Sequence, residues 1–325
     1  MKKIVLFLFL VNFLNASEEL FELEKFSFSM ENDANVDTDF GYTHGARISL
    51  LFYRGDTQES LLNIPFTSSN KTNNFISFAY ANQMFTPYDL KQTQLIKDDR
   101  PYAGYSYMEI GLHQTTKEDT DSLTLQTGVV GPSSGMEDLQ NYFHKHIDAH
   151  DASGWDNQLE NSFILQLNYM HKWRYVLPNI SNVESILIPY SGINFGNASM
   201  KASAGAQYRV GFNIPKDFGT NSMNEGSFSS LPMETKTIVD DLSKWTLCLN
   251  FATGTNLVAK DIFLDDWYEV DRNYFNLYLS VGITARYKNF SIDYQHNYYS
   301  KDYEQRGKYK DYKGYGFLIL SYSFK

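Results

Sequence analysis

Apolar and polar residues alternate along most of this chain with a period of two, which is typical of β-strands whose two faces meet different surroundings. In the clearest segment, 201–212, every second residue is apolar or aromatic toward the end, while Ser203, Gln207 and Arg209 lie between them. Twelve segments of this kind are predicted as strands: 26–30, 48–52, 75–82, 105–114, 123–130, 163–173, 186–195, 201–212, 245–251, 275–287, 290–298 and 316–324.

These strands have the composition of a barrel that crosses a membrane. Many approach the roughly 9–11 residues that a tilted strand needs to span a bilayer, and their second face carries Ser, Asn, Gln, Thr, Gly or Arg. Aromatic residues lie near the strand ends, where an interfacial girdle is expected: Tyr53, Trp173, Tyr175, Tyr208, Trp245, Tyr274, Tyr287 and Tyr298. We predict an all-β fold, a twelve-stranded antiparallel transmembrane β-barrel that ends at Phe324; a secreted β-sandwich or soluble barrel is the alternative.

The first residues resemble an export signal. Lys2 and Lys3 precede an apolar stretch, 4–11, and Ala16 is a small residue before acidic sequence. This pattern predicts a signal peptide over 1–16 and a barrel domain over 17–325. A membrane anchor would need about 18 or more clean apolar residues.

Charge and cysteine content narrow the functional classes. The chain has 28 basic and 38 acidic residues, a formal charge of −10, and 16% aromatic residues. An acidic chain without a basic stripe is unsuited to nucleic acid, and the aromatic content is too high for a disordered chain. A single cysteine, Cys248, excludes an intrachain disulfide framework.

The strand order also predicts which connections share an end of the barrel. In outer-membrane barrels both termini lie on the periplasmic side, so connections after odd-numbered strands face outward. These are 31–45, 83–101, 131–162, 196–200, 259–273 and 299–314. The connection 213–244 falls on the periplasmic side and is long; the pattern leaves open whether it folds back as a plug.

The outward connection 131–162 contains the one convincing helix. Ser134 stands three residues before Glu137, as in a capping box, and Met136, Leu139 and Phe143 form an apolar stripe. Gln140 and His144 are four apart and share a face. A helix over the barrel mouth can form a pocket with the wall, or its polar face can simply meet water.

Three other groups could carry chemistry. Asn32 and Asp33 face the return segment 41–45 across a hairpin, so their oxygens can converge on a hard cation such as Ca²⁺ or form an Asx-rich turn. Arg100, between Asp99 and Pro101, could meet a ligand phosphate, but pinning of its loop is favoured. His144, His146, His150, Asp148 and Asp151 match no standard zinc spacing.

Together these segments resemble a known family. Asn32-Asp33, Tyr42-Thr43-His44-Gly45, Asp99-Arg100-Pro101-Tyr102-Ala103-Gly104, Val130-Gly131-Pro132, Gln140-x-x-x-His144 and Gly154-Trp155-x-Asn157-Gln158-Leu159 occur in that order. The series resembles the outer-membrane lipid A 3'-O-deacylases (LpxR-like) from about residue 26 to the C-terminus. That resemblance implies a twelve-stranded barrel that removes the 3'-linked acyloxyacyl chain from lipid A with the help of Ca²⁺.

The resemblance also implies roles for single residues. His144 would be the general base that activates a water, with Thr43 and Gln140 as supporting residues. Asn32 and Asp33 would hold a Ca²⁺ that stabilises the oxyanion, Asn32 serving both metal and catalysis. Arg100 is the candidate substrate contact on its own chemistry and not through the resemblance. Some members carry a Glu after the histidine, whereas this chain has Ile147-Asp148-Ala149-His150-Asp151, so the metal shell is named only in part.

The implied setting is the Gram-negative outer membrane, with lipopolysaccharide of the outer leaflet as partner, a monomeric barrel and no nucleic acid. Two alternatives remain open at this point. A porin or adhesin would have a wide lumen and would tolerate His144→Ala. A barrel phospholipase or acyltransferase with a serine nucleophile would need no contiguous motif.

Overall fold

The computed structural model describes residues 21–33, 41–55, 64, 67, 73–147, 152–223, 228–233, 245–304 and 312–324, so the predicted signal peptide over 1–16 lies outside the described residues. Strands occupy most of this range: β1 (Glu22–Asn32), β2 (Gly41–Gly55), β3 (Asn73–Thr86), β4 (Ala103–Thr115), β5 (Asp119–Val130), β6 (Ser162–Trp173), β7 (Tyr175–Ile180), β8 (Val183–Gly196), β9 (Ser199–Phe212), β10 (Thr246–Asp261), β11 (Asp271–Arg272), β12 (Phe275–Tyr287), β13 (Phe290–Ser300), β14 (Tyr303–Glu304) and β15 (Tyr312–Ser323). One α-helix, α1 (Met136–Ile147), lies between short 3₁₀ turns at Pro132–Ser134 and Trp155–Asn157.

Twelve of these strands form a closed antiparallel barrel, as the alternation predicts. Successive long strands are hydrogen-bonded neighbours, β6 pairs with β8, and β1 pairs with β15 to close the ring. The short strand β7 pairs with the first residues of β8 in a hairpin. Strands β11 and β14 form a separate two-stranded sheet.

The two faces of the wall have opposite polarity. On β6 the outward residues Phe163, Leu165 and Leu167 are 68%, 53% and 42% exposed, whereas Gln166 and Asn168 face inward and are buried. Burial of polar side chains with exposure of apolar ones suits a wall between lipid and a polar lumen, and it excludes the β-sandwich. Among the described residues, no helix has the length and apolar character needed to cross a bilayer.

Buried charges in the lumen are paired. Arg47 forms an ion pair with Glu109, which also accepts a hydrogen bond of 2.8 Å from Gln126 Nε2. Arg209 is fully buried, with Asp217 at 2.6 Å and Asn250 Oδ1 at 2.9 Å. Such pairing offsets the large cost of removing each charge from water.

The connection after β9 folds back into the lumen, so the open question about 213–244 is answered for its described part, 213–223 and 228–233, which we call the plug. Lys172 Nζ donates to Phe218 O at 3.0 Å, and Lys25 Nζ donates to Ser230 O at 3.0 Å. Phe218, Phe228 and Leu231 are buried against the inner wall. The space left between the plug and the far loops is a cavity of about 250 Å³.

The connections divide between the two ends as predicted. One end, the termini end, carries residues 21 and 324 with the turn 116–118 and the plug's entry at 213. The opposite end, the helix end, carries α1 and the long connections 87–102 and 262–274. These loops brace one another, because Glu269 N donates to Lys97 O at 3.0 Å and Tyr303 donates to Asp99.

Candidate active site

The helix α1 lies against the outer face of the wall, over β3 and β4. Gly104 makes this approach possible, since a Cβ at that position would lie 2.1 Å from Ser134 Oγ and 2.6 Å from Met136 Cβ. Ser106 Oγ donates to Ser134 O at 2.9 Å and holds the turn before the helix to the same strand. A larger residue at 104 would therefore push the helix off the wall.

The predicted capping box does not form. Ser134 belongs to the 3₁₀ turn, Gly135 follows in the left-handed region with φ 74°, and α1 begins only at Met136. No described residue hydrogen-bonds Ser134 Oγ, which is buried, and Glu137 Oε2 accepts instead from Gln158 Nε2 at 3.3 Å. The left-handed glycine takes over the role of turning the chain into the helix.

The buried face of the helix combines Met136 with the two polar residues Gln140 and His144. Met136, Gln140 and His144 are 4%, 3% and 9% exposed, whereas Phe143 is 49% exposed. The predicted apolar stripe of Met136, Leu139 and Phe143 is thus wrong at Phe143, which stays half exposed beside the ring of His44. The alternative in which Gln140 and His144 simply meet water is excluded by their burial.

Trp155 fixes the orientation of Gln140. Its Nε1 donates to Gln140 Oε1 at 2.7 Å, and its ring lies 5.0 Å from that of Tyr102. Because Oε1 is the acceptor, Gln140 Nε2 faces the other way, where it is buried and no described residue accepts from it. A buried amide donor of this kind needs a water or a ligand as its partner.

An apolar cluster packs the first turns of the helix against the protein. Its buried members come from β3, the loop 87–102, α1 and the segment after it: Met84, Leu90, Tyr102, Met136, Ala152 and Trp155. Tyr102 OH donates to Leu90 O at 3.2 Å, and Leu159 N donates to Tyr102 O at 2.9 Å. The site therefore stands on rigid contacts, which precise positioning requires.

The other predicted residues lie at the helix end of β1 and β2, the strands next to those that the helix covers. Asn32 and His44 are direct cross-strand partners on the outward face, and a bulge between Tyr42 and His44 accommodates Thr43. Thr43 Oγ1 lies 2.6 Å from Thr86 Oγ1, and the ring of His44 lies 6.5 Å from that of Phe143. This ring contact brings the wall patch and the last turns of α1 to one groove.

Asn32 and Asp33 both donate to one carbonyl of the return strand, which brings the two ends of the hairpin together. Asn32 Nδ2 and Asp33 N donate to Thr43 O at 3.2 Å and 3.3 Å. Asp33 is 1% exposed and interacts electrostatically with Tyr299, which lines the lumen cavity. Asp33 therefore lies near the lumen cavity.

Arg100 belongs to the lumen side. It is 2% exposed, lies 3.5 Å from Asp302 and stacks over the Phe85 ring at 4.9 Å. Burial alone would lower the pKa of Arg100, but Asp302 and Tyr303 outweigh that effect and raise it. Arg100 lines the lumen cavity, whose lining includes neither Gln140 nor His144, so its contacts favour the loop-pinning alternative.

The other histidines near His144 form no metal cluster in the part of the chain that the structure describes. His146 is exposed, with Nδ1 2.6 Å from Tyr142 O. His150, Asp148 and Asp151 lie outside the described residues. Sequence reasoning assigned no role to Trp155, His44 or Thr86, although Trp155 and His44 stand in the quoted motifs Gly154-Trp155-x-Asn157-Gln158 and Tyr42-Thr43-His44-Gly45.

Comparisons with known proteins agree with this architecture. The model of the family described as outer membrane protein LpxR matches residues 4–324. LpxR from Salmonella typhimurium aligns over 92% of this chain and 100% of its own, with 18% identity and a TM-score of 0.73. The β domain of the Bordetella autotransporter BrkA aligns with 7% identity and a TM-score of 0.44, over 93% of this chain and 98% of its own. Curated protein sequences contain no match.

Proposed function

Since the chain belongs to the LpxR family of outer membrane proteins, we propose that it is a lipid A deacylase. The reaction is hydrolysis of the ester that joins the 3'-linked acyloxyacyl chain to the sugar. The observation that carries the proposal is the burial of Gln140 and His144 on α1, a helix that packs on the membrane-facing wall and whose Phe143 ring lies 6.5 Å from that of His44 on the wall. A groove on the outside of a barrel can receive a lipid without removing its chains from the bilayer.

His144 acts as the general base in this proposal. Its imidazole takes a proton from a water, and the water oxygen attacks the ester carbonyl, so no acyl-enzyme is required. Burial of His144 excludes bulk water, which strengthens each polar interaction in the groove. The same proton then passes to the leaving sugar oxygen, which completes the hydrolysis.

Gln140 and the wall patch position the reacting groups. Gln140 Nε2, oriented by Trp155, supplies a donor aimed away from the indole, suited to hold the attacking water or the carbonyl oxygen. Thr43, tied to Thr86 and to Asn32, holds the opposite side of the groove. These contacts keep the donors in place before substrate arrives, which is the condition for efficient catalysis.

The donor set at the end of β1 suits Ca²⁺. Asn32 Nδ2 and Asp33 N both bond the Thr43 carbonyl, so the hard oxygens of these three residues belong to one short stretch of the hairpin, and the buried Asp33 carboxylate would give the negative charge that a divalent cation needs. Bound there, Ca²⁺ supplies positive charge for the developing oxyanion. Arg100 is proposed to affect activity through its loop and through any contact with a lipid phosphate.

We place the enzyme in the Gram-negative outer membrane as a monomer, with the helix end toward the outer leaflet and lipopolysaccharide as its partner. The porin alternative is disfavoured because the plug is hydrogen-bonded to the inner wall and occupies part of the lumen that a porin would leave open. No described feature favours an adhesin or a serine-dependent lipase.

Mass spectrometry of lipid A incubated with the refolded full-length protein tests the proposal. We expect loss of one acyloxyacyl unit from the 3' position with Ca²⁺ present, and no loss with a chelator. Deacylation that continues in the presence of the chelator would refute the role of Ca²⁺ but not the deacylase. Unchanged lipid A from a barrel that still shifts on heating in gel electrophoresis would refute the deacylase.

A further inference from the structure

The outer wall carries a row of polar side chains near the termini end, on the face that otherwise exposes apolar residues. Direct cross-strand pairing aligns its members on β3, β4, β5, β6 and β8: Asn74, Gln114, Asp121, His171 and Ser191. The next row toward the helix end is apolar or aromatic: Ile76, Leu112, Leu123, Tyr169 and Ile193. Ionisable side chains on a lipid-facing wall are costly and mark functional sites.

A carboxylate lies at the centre of this row. The Asp121 side chain is 4% exposed, Tyr169 OH donates to its Oδ1 at 2.6 Å, and His171 Nδ1 lies 2.7 Å from the same oxygen. Since a carboxylate only accepts, His171 carries a hydrogen on Nδ1, and in the neutral ring Nε2 is then an acceptor. No described residue hydrogen-bonds that Nε2.

Aromatic rings surround the same point. The His171 ring lies 4.3 Å from the Trp173 ring in an edge-on arrangement, and Trp173 is 37% exposed on the membrane side. Trp173 pairs with Asp119, the first residue of β5, so the cluster lies at the level of the turn 116–118. That level is where lipid headgroups meet the wall.

We propose that Asp121, Tyr169, His171 and Trp173 form a binding site for the ammonium group of an aminophospholipid in the leaflet nearest the termini end. A carboxylate behind an acceptor nitrogen, flanked by aromatic rings, favours a cation. A primary ammonium has N–H donors for Nε2, which a quaternary ammonium lacks. The site lies at the opposite end of the barrel from α1, so it does not depend on the proposed deacylase.

Native mass spectrometry of the refolded full chain tests this site. The protein in detergent is offered equal amounts of three phospholipids with the same chains and ethanolamine, choline or glycerol headgroups. The wild type is expected to retain the ethanolamine lipid about tenfold over the glycerol lipid, with the choline lipid between them. Free glycerophosphoethanolamine in excess should reduce this preference, which separates headgroup recognition from chain binding.

Two variants and a matched control locate the site. His171→Phe keeps a ring but loses Nε2, and it should abolish the preference, while Trp173→Phe should weaken it. His296→Phe is the control, because His296 also faces the membrane and bonds a tyrosine two residues earlier, Tyr294, at 2.7 Å. Equal retention of the three lipids by the wild type, or a preference that survives His171→Phe, would overturn the proposal. Lipid A deacylation should be unchanged in His171→Phe.

Discussion

At the scale of single residues, Gly104 lets the helix approach the wall and Trp155 orients Gln140 on it. The four-residue spacing of the pair was readable in the sequence, because helix geometry alone puts both on one face. The sequence does not show which face of the helix packs on the wall, because the apolar stripe of Met136, Leu139 and Phe143 is another candidate for that face. The contacts that settle the orientation come from Gly104 on β4 and from Trp155 beyond the helix, which only the fold brings together.

Gly104→Val should displace α1 from the wall and lower lipid A deacylation at least tenfold, because a Cβ there would overlap Ser134 and Met136. Ser106→Ala is the matched comparison. It removes the hydrogen bond to Ser134 O but adds no atoms beside Gly104, so the helix can still approach the wall. Its activity should fall only a fewfold. Initial rates on purified lipid A measure both, and a Gly104→Val enzyme with wild-type activity would show that close helix packing is not needed.

Trp155→Phe should reduce kcat more than it changes KM. It keeps ring packing on Tyr102 but removes the donor that orients Gln140, a hydrogen bond worth about 1 kcal/mol, or roughly fivefold in rate. Trp267→Phe is the matched control, since Trp267 Nε1 bonds Ile96 O in a loop of the same end. Equal losses in the two variants would mean that Trp155 acts only through loop stability.

At the scale of elements, alternation located the strands because lipid and lumen demand opposite polarities on the two faces of the wall. It located their ends poorly. The predicted segment 245–251 continues to Asp261 in β10, where outward Thr253 replaces the apolar residues that carried the pattern. Strand β2 likewise runs from Gly41 to Gly55, well beyond 48–52. The hairpin strand β7 went unpredicted, because residues 175–180 contain Pro178 and no regular alternation.

At the scale of the whole molecule, the plug occupies the part of the lumen nearest the termini end and leaves a cavity of about 250 Å³ beyond it. Its length and position were visible in the sequence, but its fold was not, because its partners Lys25, Lys172 and Arg209 are scattered over three strands. Only the closed ring brings these cations together in the lumen.

Asp217→Ala should destabilise the folded barrel by about 3–5 kcal/mol, because it leaves Arg209 buried without its carboxylate. Asp265→Ala breaks a similar pair with Arg272, but Asp265 is 25% exposed, so its loss should be far smaller. Urea unfolding in detergent micelles, followed by tryptophan fluorescence, compares the two. Equal losses would show that the plug pair contributes no more than a surface pair.

The central claim is that His144, buried between α1 and the wall, activates the water that deacylates lipid A. The most direct measurement is mass spectrometry of lipid A after incubation with His144→Ala and, in parallel, with His146→Ala, a change two residues away on the exposed side of the same helix. We predict that His144→Ala lowers the rate of lipid A deacylation by about two to four orders of magnitude. The His146→Ala protein should remove the 3'-linked acyloxyacyl chain at the rate of the wild type. Deacylation by a well-folded His144→Ala barrel at a rate near that of the wild type would contradict the account.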